Sequence, residues 1–271
     1  AELHEMPPGT LGSDETNSPG HSWLVQILPG IEERILYDEI ADASVKFRTR
    51  PFHADVSGAD GNHFSTRPIY AFRCPSFRGD SVVSSGFGSE YDELALLGGY
   101  SAVSNYAAIV GTHATADGPI QENGIIVSRC ENALKACEGK GLRLQDVGDG
   151  ISNTMMICET REPVYAAWFD GQATWVVGVE PAGAGDVRED GLPGASATLL
   201  NSSPYSTIGL PNSWPGRIAR DWGASSEHAG GVVLHAFADC HAQKISNNID
   251  PTVYYHLITR NGGEPIEEDE W

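Results

Sequence analysis

The apolar residues of this chain come mostly in short runs separated by glycine and polar turn residues. Short runs that are rich in β-branched and aromatic residues and bounded by Gly, Asp, Asn and Ser are typical of strands joined by loops. The runs lie at residues 67–76, 104–112, 123–128, 153–160, 174–180 and 230–239. We therefore predict an antiparallel sheet built from local hairpins.

Two segments have helical character. Residues 22–40 place apolar side chains at helical spacing, but Pro29-Gly30 interrupts the pattern, so we expect a kinked or broken helix. Residues 251–259 predict a short helix with Asp250 as its N-cap and a proline at its first position. Long polar, Gly-rich stretches are expected to form surface loops at residues 54–66, 78–90 and 181–216.

Together these elements predict an α+β fold with a short N-terminal helix, an antiparallel β-sheet and long loop insertions. A chain of 271 residues is long enough to bury one large core, and it contains no clear linker, so we expect a single domain over residues 1–271. Residues 1–20 are interpreted as the remnant of a helix followed by a loop. Residues 264–271 are expected to be a frayed acidic tail.

The charge of the chain restricts its partners. Asp and Glu number 37 against 17 Lys and Arg, which gives a formal net charge of −20. Such a charge opposes binding to nucleic acid or to an anionic membrane surface, whereas metal ions and cationic partners remain compatible. The sequence contains no apolar run long enough to span a membrane.

The chain has five cysteines, and none of them forms a C-x-x-C pair, which disfavours a zinc ribbon or a thioredoxin-type motif. Cys130 and Cys137 bracket a short segment that could close as a local disulfide. Cys158 and Cys240 lie in or beside predicted strands and could pair across the sheet. Cys74 has no obvious partner. The alternative is a set of five unrelated, mostly buried thiols.

A second group of residues suggests metal binding or general-base chemistry: His228, His235, Asp239 and His241. Strand alternation places His235 and Asp239 on one face. His228 lies before the Gly-Gly break, and His241 lies past the turn. A joint metal or catalytic cluster is therefore disfavoured.

The stretch DVGDGISNT offers hard oxygen donors that could hold calcium, chiefly Asp146, Asp149 and Asn153. The spacing does not match an EF-hand loop. Asp and Asn in turns commonly bond their own backbone, so a structural turn before the strand at 153–160 is the favoured interpretation.

Enzyme signatures are absent from the sequence: it contains no HExxH, GxSxG, GxxxxGK[ST] or post-strand GxGxxG motif. We therefore expect a non-enzymatic protein without a cofactor, calcium excepted. Tryptophans in the second half of the chain could stack on sugars in a secreted glycan- or peptide-binding module, although core packing is the commoner use of this residue. These tryptophans are Trp168, Trp175, Trp214 and Trp222.

Seven stretches of the sequence, taken in order, resemble the successive motifs of a known protein family. They are PPGT, SWLVQILPGIEERILYD, FRCPS, SNYAAIVGT, LQDVGDGISNTMMICE, SSEHAGGVVLHAFADCHAQKIS and TRNGGEPI. From residue 7 to about residue 266, the chain resembles a bacterial family of pilin-like proteins of unknown function that is abundant in planctomycetes. Members of that family carry a prepilin-type N-terminal helix and a C-terminal motif of His, nine residues and Asp-Gly, associated with prepilin processing. The matching positions here are His228, Gly230, Gly231 and Asp239.

The chain departs from that motif at two points. Ten residues separate His228 from Asp239, and Cys240 stands in place of the turn glycine. A left-handed backbone at such a turn costs a non-glycine residue roughly 1 kcal/mol or more. The extra residue could form a bulge that shifts the register and relieves Cys240 of this conformation, but the sequence leaves open how the strain is relieved.

The resemblance implies the function. It implies a pilin-like head, a structural subunit of a cell-surface filament (type IV pilus) or of a type II secretion-like pseudopilus, outside the inner membrane or on its periplasmic side. Its partners would be other filament subunits, contacted through an N-terminal helix encoded ahead of Ala1. A cysteine in that helix would be the partner of Cys74. Some secretion pseudopilins use calcium to order a loop, which keeps the calcium prediction in place.

Overall fold

The computed structural model describes residues 5–11, 20–83, 100–113, 122–127, 141–162, 166–171, 173–183, 188, 194–202 and 223–263. Strands and helices follow in the order β1 (Thr10–Leu11), β2 (His21–Ser22), α1 (Trp23–Ile27), α2 (Arg34–Ala43), β3 (Tyr106–Gly111), β4 (Met155–Glu159), β5 (Trp175–Val177), β6 (Val179–Pro181), β7 (Ala195–Thr198), β8 (Val232–Phe237), β9 (Ala242–Ser246) and α3 (Pro251–His256). The helices and the sheets confirm the α+β prediction.

The main sheet has five strands in the order β5-β3-β4-β8-β9. The pairs β3–β4, β4–β8 and β8–β9 are antiparallel, whereas β5 joins the edge of β3 in parallel. The antiparallel arrangement is thus as expected for four strands. The chain leaves the end of β4 and returns on the other side of β3, which makes β5 parallel. Two separate strand pairs, β1–β2 and β6–β7, are also antiparallel.

Each face of the sheet borders its own core. On β3, Ala108 and Val110 belong to a core that also contains the buried side chains of α1, whereas Ala107 and Ile109 belong to a core that contains the buried side chains of α3. This alternation is the period-2 pattern of a strand that is covered on both faces. The sheet therefore lies between the N-terminal helices and the C-terminal helix.

The predicted break in the first helix is confirmed. Leu28–Ile31 forms a 3₁₀ turn around Pro29-Gly30, and it ends at Glu32, which has a left-handed φ of 67°. The C-terminal helix is also confirmed, since the Asp250 side chain accepts the N–H groups of Thr252 and Val253 at the start of α3. Within the described residues, none of the helices combines the length and apolar character needed to cross a bilayer.

Some expected strands differ in the structure. Residues 67–76 contain a 3₁₀ turn at Tyr70–Phe72 instead of a strand, and the prolines at 68 and 75 lack the N–H groups that a ladder requires. The described part of 123–128 forms bends. There Gly124 donates its N–H to the carbonyl of Val110.

The run at 174–180 is divided into β5 and β6 at Gly178. A Cβ at this glycine would lie 2.0 Å from Cδ1 of Ile258 and 3.1 Å from Cε1 of Tyr254, so a side chain here would crowd the end of α3 and the residues after it. Strand β7 lies inside the region expected to be a loop at 181–216, and its pairing with β6 depends on this change of direction.

Candidate functional site

Three segments that are distant in sequence bring a thiol, a carboxylate and an imidazole together. Nε2 of His228 lies 3.1 Å from Oε1 of Glu159 and 3.9 Å from Sγ of Cys74. One atom from each of the three side chains falls within 4.8 Å of the other two. Among the described residues, this is the group of His, Cys, Asp and Glu side chains that converges closely enough to hold a metal ion.

Cys74 is positioned by a turn and by an asparagine. It follows the 3₁₀ turn that buries Phe72 against Trp168, whose ring centroid lies 5.8 Å away. The N–H of Cys74 donates to Oδ1 of Asn105 at 3.1 Å, and the N–H of Phe77 donates to the Cys74 carbonyl. These contacts hold the thiol beside the end of β4.

Glu159 is the last residue of β4, and its side chain is only 3% exposed. The backbone pairing between β4 and β8 ends at Cys158 and His235. Beyond that pair, Oε2 of Glu159 accepts the N–H of Leu234 at 3.1 Å. The carboxylate thus continues the hydrogen bonding at the end of the ladder while its other oxygen faces His228.

His228 is held by the turn that leads into β8. The hydroxyl of Ser226 accepts the N–H of His228 and donates to the carbonyl of Val232. Gly230 and Gly231 have φ values of 91° and 67°, a conformation in which two consecutive side chains would be strained. The Gly-Gly pair of the motif therefore brings the imidazole back over the sheet, where its side chain is 25% exposed.

The surroundings keep the thiol protonated. Burial and the neighbouring Glu159 carboxylate raise the pKa of Cys74. Tyr106, which is paired with Glu159 across β3 and β4, has a pKa raised by burial and by the same two groups. A protonated thiol is a poor nucleophile. Moreover, the thiol and the carboxylate approach the same ring nitrogen, whereas a catalytic triad uses one nitrogen for each.

Comparison with known proteins identifies the family. Residues 1–252 match a family described as "Protein of unknown function (DUF1559)". The chain belongs to the DUF1559 family. No curated protein and no solved structure matches it.

In this DUF1559 protein, the other predicted site residues on β8 and its turn lie apart from His228. Asp239 is at the opposite end of the strand, where its Oδ1 accepts the N–H of His241 and lies 2.6 Å from that ring's Nδ1. The His241 backbone N–H, the His241 ring and Ser152 lower the pKa of Asp239 to about 2. His235 points into the core, where burial lowers its pKa to about 4. The structure thus places His228, His235 and Asp239 at three separate positions around β8.

The interpretation that a bulge would relieve Cys240 of a left-handed conformation is wrong. Cys240 has a φ of 71°, and the β8–β9 pairing runs without interruption from Val232↔Ser246 to Ala236↔Ala242. Phe237 and His241 close a three-residue loop, in which the N–H of Cys240 donates to the Phe237 carbonyl. The third position of such a loop takes a left-handed conformation whichever residue occupies it. The turn therefore retains the glycine geometry with a cysteine.

The predicted disulfide between Cys158 and Cys240 is not formed. Cys158 is buried on the face of β4 that borders the second core, and its thiol donates to the Ala107 carbonyl, whereas Cys240 is exposed in the turn. Both thiols are free because Cys158 lies opposite His235 within the sheet, whereas Cys240 lies in the turn beyond the end of β8. Cys130 and Cys137 lie outside the described residues.

The residues of the predicted calcium site bind different partners. Asp146 accepts the N–H of Arg143 and contacts its guanidinium at 3.2 Å. The two carboxylate oxygens of Asp149 accept the N–H groups of Gly262 and Gly263. The backbone N–H of Asn153 closes a turn on the carbonyl of Gly150. These contacts favour the structural-turn interpretation, and calcium binding here stays a prediction.

The tryptophans that could have formed a sugar-binding patch divide into two sets. Trp168 and Trp175 are core residues, and Trp214 and Trp222 lie outside the described residues. A cleft of about 570 Å³ beside Phe64 has polar and charged walls that contain no tryptophan.

Sequence reasoning identified His228 as a motif residue but did not link it to Cys74 or Glu159. The available signal was that all three lie in stretches that carry the family resemblance, namely FRCPS, MMICE and SSEHAGG. Residues shared by separate landmarks are candidates for contact in space, and the structure brings these three together.

Proposed function

We propose that this chain is the head domain of a pilin-like subunit, a non-enzymatic structural protein of a cell-surface filament or of a type II secretion-like pseudopilus. The head faces the outer side of the inner membrane. An apolar helix encoded ahead of Ala1 carries the contacts between copies. The proposal starts from the seven ordered stretches of the sequence that resemble such proteins.

The observation that carries the proposal is the attachment of residues 5–9. The N–H of Met6 donates to the Leu142 carbonyl at 2.7 Å, and the N–H of Gly9 donates to the Val127 carbonyl at 3.1 Å. The chain therefore enters the described part of the head at a defined position, with Met6 beside Leu142 and Gly9 beside Val127. A filament subunit needs such a junction because its stem must hold each head in a repeated orientation.

The junction is packed closely. A Cβ at Gly141 would lie 1.5 Å from the carbonyl oxygen of Met6, so the two backbones approach as only a glycine permits. The side-chain amide of Gln26 in α1 donates to the Pro8 carbonyl at 2.9 Å. The first described segment is thus bound both to the 141–143 segment and to the first helix.

The architecture of the sheet supports the same function. Helix α1 follows this first segment, and its buried residues belong to the core that also includes one face of β3 and β4. The strands β3, β4, β8 and β9 form a continuous antiparallel set beyond it. A helix that packs on an antiparallel sheet is the arrangement that the resemblance implies for a pilin-like head.

The chemistry of the chain supports a structural role. The net charge of −20 keeps an exposed coat soluble and disfavours nucleic acid as a partner. Burial and the Glu159 carboxylate raise the pKa of the thiol beside His228, and the thiol and the carboxylate approach one ring nitrogen, which favours a structural or ion-binding role over nucleophilic catalysis.

The proposal is tested in the native host with an antibody against the head. We expect the protein to be enriched in sheared surface filaments or in a membrane-attached pseudopilus fraction. Inactivation of the prepilin peptidase should leave a longer precursor in the inner membrane. A protein that is released as a monomer after an ordinary secretory cleavage, with no change when the peptidase is inactivated, would overturn the proposal.

A further inference from the structure

The distances from Nε2 of His228 to the other two donor atoms are close to those between the ligand atoms of a tetrahedral metal ion. With Zn–S of about 2.3 Å and Zn–N or Zn–O of about 2.0–2.1 Å, tetrahedral ligand atoms lie about 3.6 Å apart for S and N and about 3.3 Å apart for N and O. The corresponding distances here are 3.9 Å between Cys74 and His228 and 3.1 Å between His228 and Glu159. The third distance, between Sγ of Cys74 and a carboxylate oxygen of Glu159, is within 4.8 Å, so a side-chain movement of up to about 1 Å would complete the geometry.

We propose that Cys74, Glu159 and His228 bind one divalent transition-metal ion of the zinc class, with a fourth position open to solvent. This inference goes beyond the structural role proposed above and holds for the chain whether or not it assembles into filaments.

Further contacts hold the three ligands in place besides those between their donor atoms. The backbone N–H of Cys74 donates to Oδ1 of Asn105, which fixes the residue through its main chain. Glu159 uses Oε2 for the N–H of Leu234 and directs Oε1 to the shared point. Because the ligands are already ordered, little conformational entropy is lost when the ion binds.

A second contact joins two of the three segments. The N–H of Arg78, in the loop after Cys74, donates to Oε2 of Glu227, the residue before His228, at 2.7 Å. The Cys74 loop and the His228 turn are therefore already adjacent. An ion at the shared point would link both segments to the end of β4 and stabilise the start of β8.

The donor set selects the class of ion. Calcium and magnesium prefer oxygen ligands alone, whereas thiolate and imidazole favour zinc and related transition metals. On binding, the thiol proton leaves to solvent, since cysteine ligates a metal as the thiolate and histidine through an unprotonated ring nitrogen. The thiolate and the Glu159 carboxylate then balance the two positive charges of the ion. His228 is the partly exposed member of the set, so the ion reaches the site from its side.

The test uses the whole chain, reduced and stripped of metal with a chelator that is then removed. Zn²⁺ is titrated calorimetrically in the presence of excess Mg²⁺ and Ca²⁺, which occupy the acidic surface. We expect one equivalent of Zn²⁺ to bind and the Tm to rise. Co²⁺ should give the near-ultraviolet charge-transfer absorption of a cobalt–thiolate bond.

Variants separate this site from others. Cys74→Ser should abolish the cobalt–thiolate absorption, and Glu159→Gln and His228→Gln should each weaken Zn²⁺ binding by more than about tenfold, since even partners outside the first shell can be worth that much. The matched controls are Cys240→Ser and His241→Gln, a second thiol and a second carboxylate-bound imidazole at the far end of β8. A Cys130→Ser/Cys137→Ser double variant controls for the remaining thiols. All controls should keep full binding.

His228→Gln also guards against misfolding, because that side chain is partly exposed and its loss should leave the circular dichroism spectrum unchanged. The proposal is overturned if the intact chain shows no cobalt–thiolate absorption. It is also overturned if Zn²⁺ binding is equally strong in Cys74→Ser and His228→Gln, or if the controls lose binding to the same extent.

Discussion

Nε2 of His235 lies 2.9 Å from the hydroxyl of Tyr254, and both side chains are buried between the sheet and α3. The other ring nitrogen of His235 lies 3.0 Å from the carbonyl of Val233. The pair is a polar link between β8 and the C-terminal helix.

Tyr254→Phe should lower the free energy of unfolding by about 1–3 kcal/mol, because it leaves a buried ring nitrogen without its partner. Urea unfolding followed by tryptophan fluorescence measures the change. Tyr70→Phe is the control, since Tyr70 is 87% exposed, and it should change stability by less than about 0.5 kcal/mol. Equal effects of the two substitutions would contradict the role assigned to the buried pair.

Three buried histidines should make the protein acid-sensitive. Burial, aided by the charge of His63, lowers the pKa of His21 to about 3, and burial lowers the pKa values of His63 and His235 to about 4. At high pH, all three are neutral in both the folded and the unfolded state. Below about pH 6.5, the unfolded chain takes up protons that the folded chain does not. The free energy of unfolding therefore decreases as the pH is lowered.

Glu122 acts in the opposite direction, because burial raises its pKa to about 7 and the folded state holds its proton. Between about pH 6 and 5, the unfolded state therefore binds about two more protons than the folded state. The free energy of unfolding then decreases by about 2–3 kcal/mol for each pH unit by which the pH is lowered. Urea unfolding over a pH series measures this slope. Glu122→Gln should steepen the slope and His235→Gln should reduce it, each by about 1.4 kcal/mol per pH unit. A flat profile would show that the histidines are accessible to protons in the folded state.

Cys240→Gly should stabilise the protein by about 1 kcal/mol and raise the Tm by about 2–4 °C, because glycine adopts the left-handed conformation of the turn without steric cost. Differential scanning calorimetry under reducing conditions measures the change. Cys240→Ser is the control, since it removes the thiol but keeps the Cβ, and it should leave the Tm within about 1 °C of the original. A gain in Cys240→Ser as large as that in Cys240→Gly would assign the effect to the thiol.

Asn105→Ala should cost about 2–4 kcal/mol, because the buried amide accepts the N–H of Cys74 and donates to the carbonyl of Thr160, and both backbone groups would lose their partner. Chemical unfolding measures the loss. Asn248→Ala, at an exposed position after β9, is the control and should be close to neutral. Unchanged stability of Asn105→Ala would mean that the Cys74 segment is held by other contacts.

Gly141→Ala should release the first described segment, because a Cβ at this position would occupy the place of the Met6 carbonyl. Limited proteolysis followed by mass spectrometry should then show faster cleavage before residue 10 with the rest of the chain intact. Gly30→Ala is the matched control, since a Cβ there meets no atom within 4 Å. Equal cleavage rates in the two variants would contradict the close contact at Met6.

Local signals in the sequence predicted several elements well. The break at Pro29-Gly30 and the cap at Asp250 depend on residues within a few positions of each other, and the structure places both as expected. The runs at 104–112 and 153–160 became β3 and β4 because their alternation reflects a sheet that is covered on both faces. By contrast, the apolar run at 67–76 is buried without forming a strand, since burial alone does not require a ladder.

The candidate site was only partly visible in the sequence. His228 and the Gly-Gly pair belong to one stretch, so their importance could be inferred from it. Cys74 and Glu159 are 154 and 69 positions away from His228, and no spacing rule connects them. Their contact depends on where the 3₁₀ turn after residue 69 and the end of β4 come to lie in the folded chain.

The sequence by itself determined the α+β class, the break at Pro29-Gly30, the start of the C-terminal helix and the central strands, because these follow from local periodicity and capping. The tertiary structure alone decided that β5 is parallel, that Cys158 and Cys240 stay unpaired, that Cys240 takes a left-handed conformation, and that a thiol, a carboxylate and an imidazole meet at one point. Each of these features depends on contacts between segments that are far apart in the sequence. A short stretch of residues does not specify such contacts, because they form only when the whole core packs.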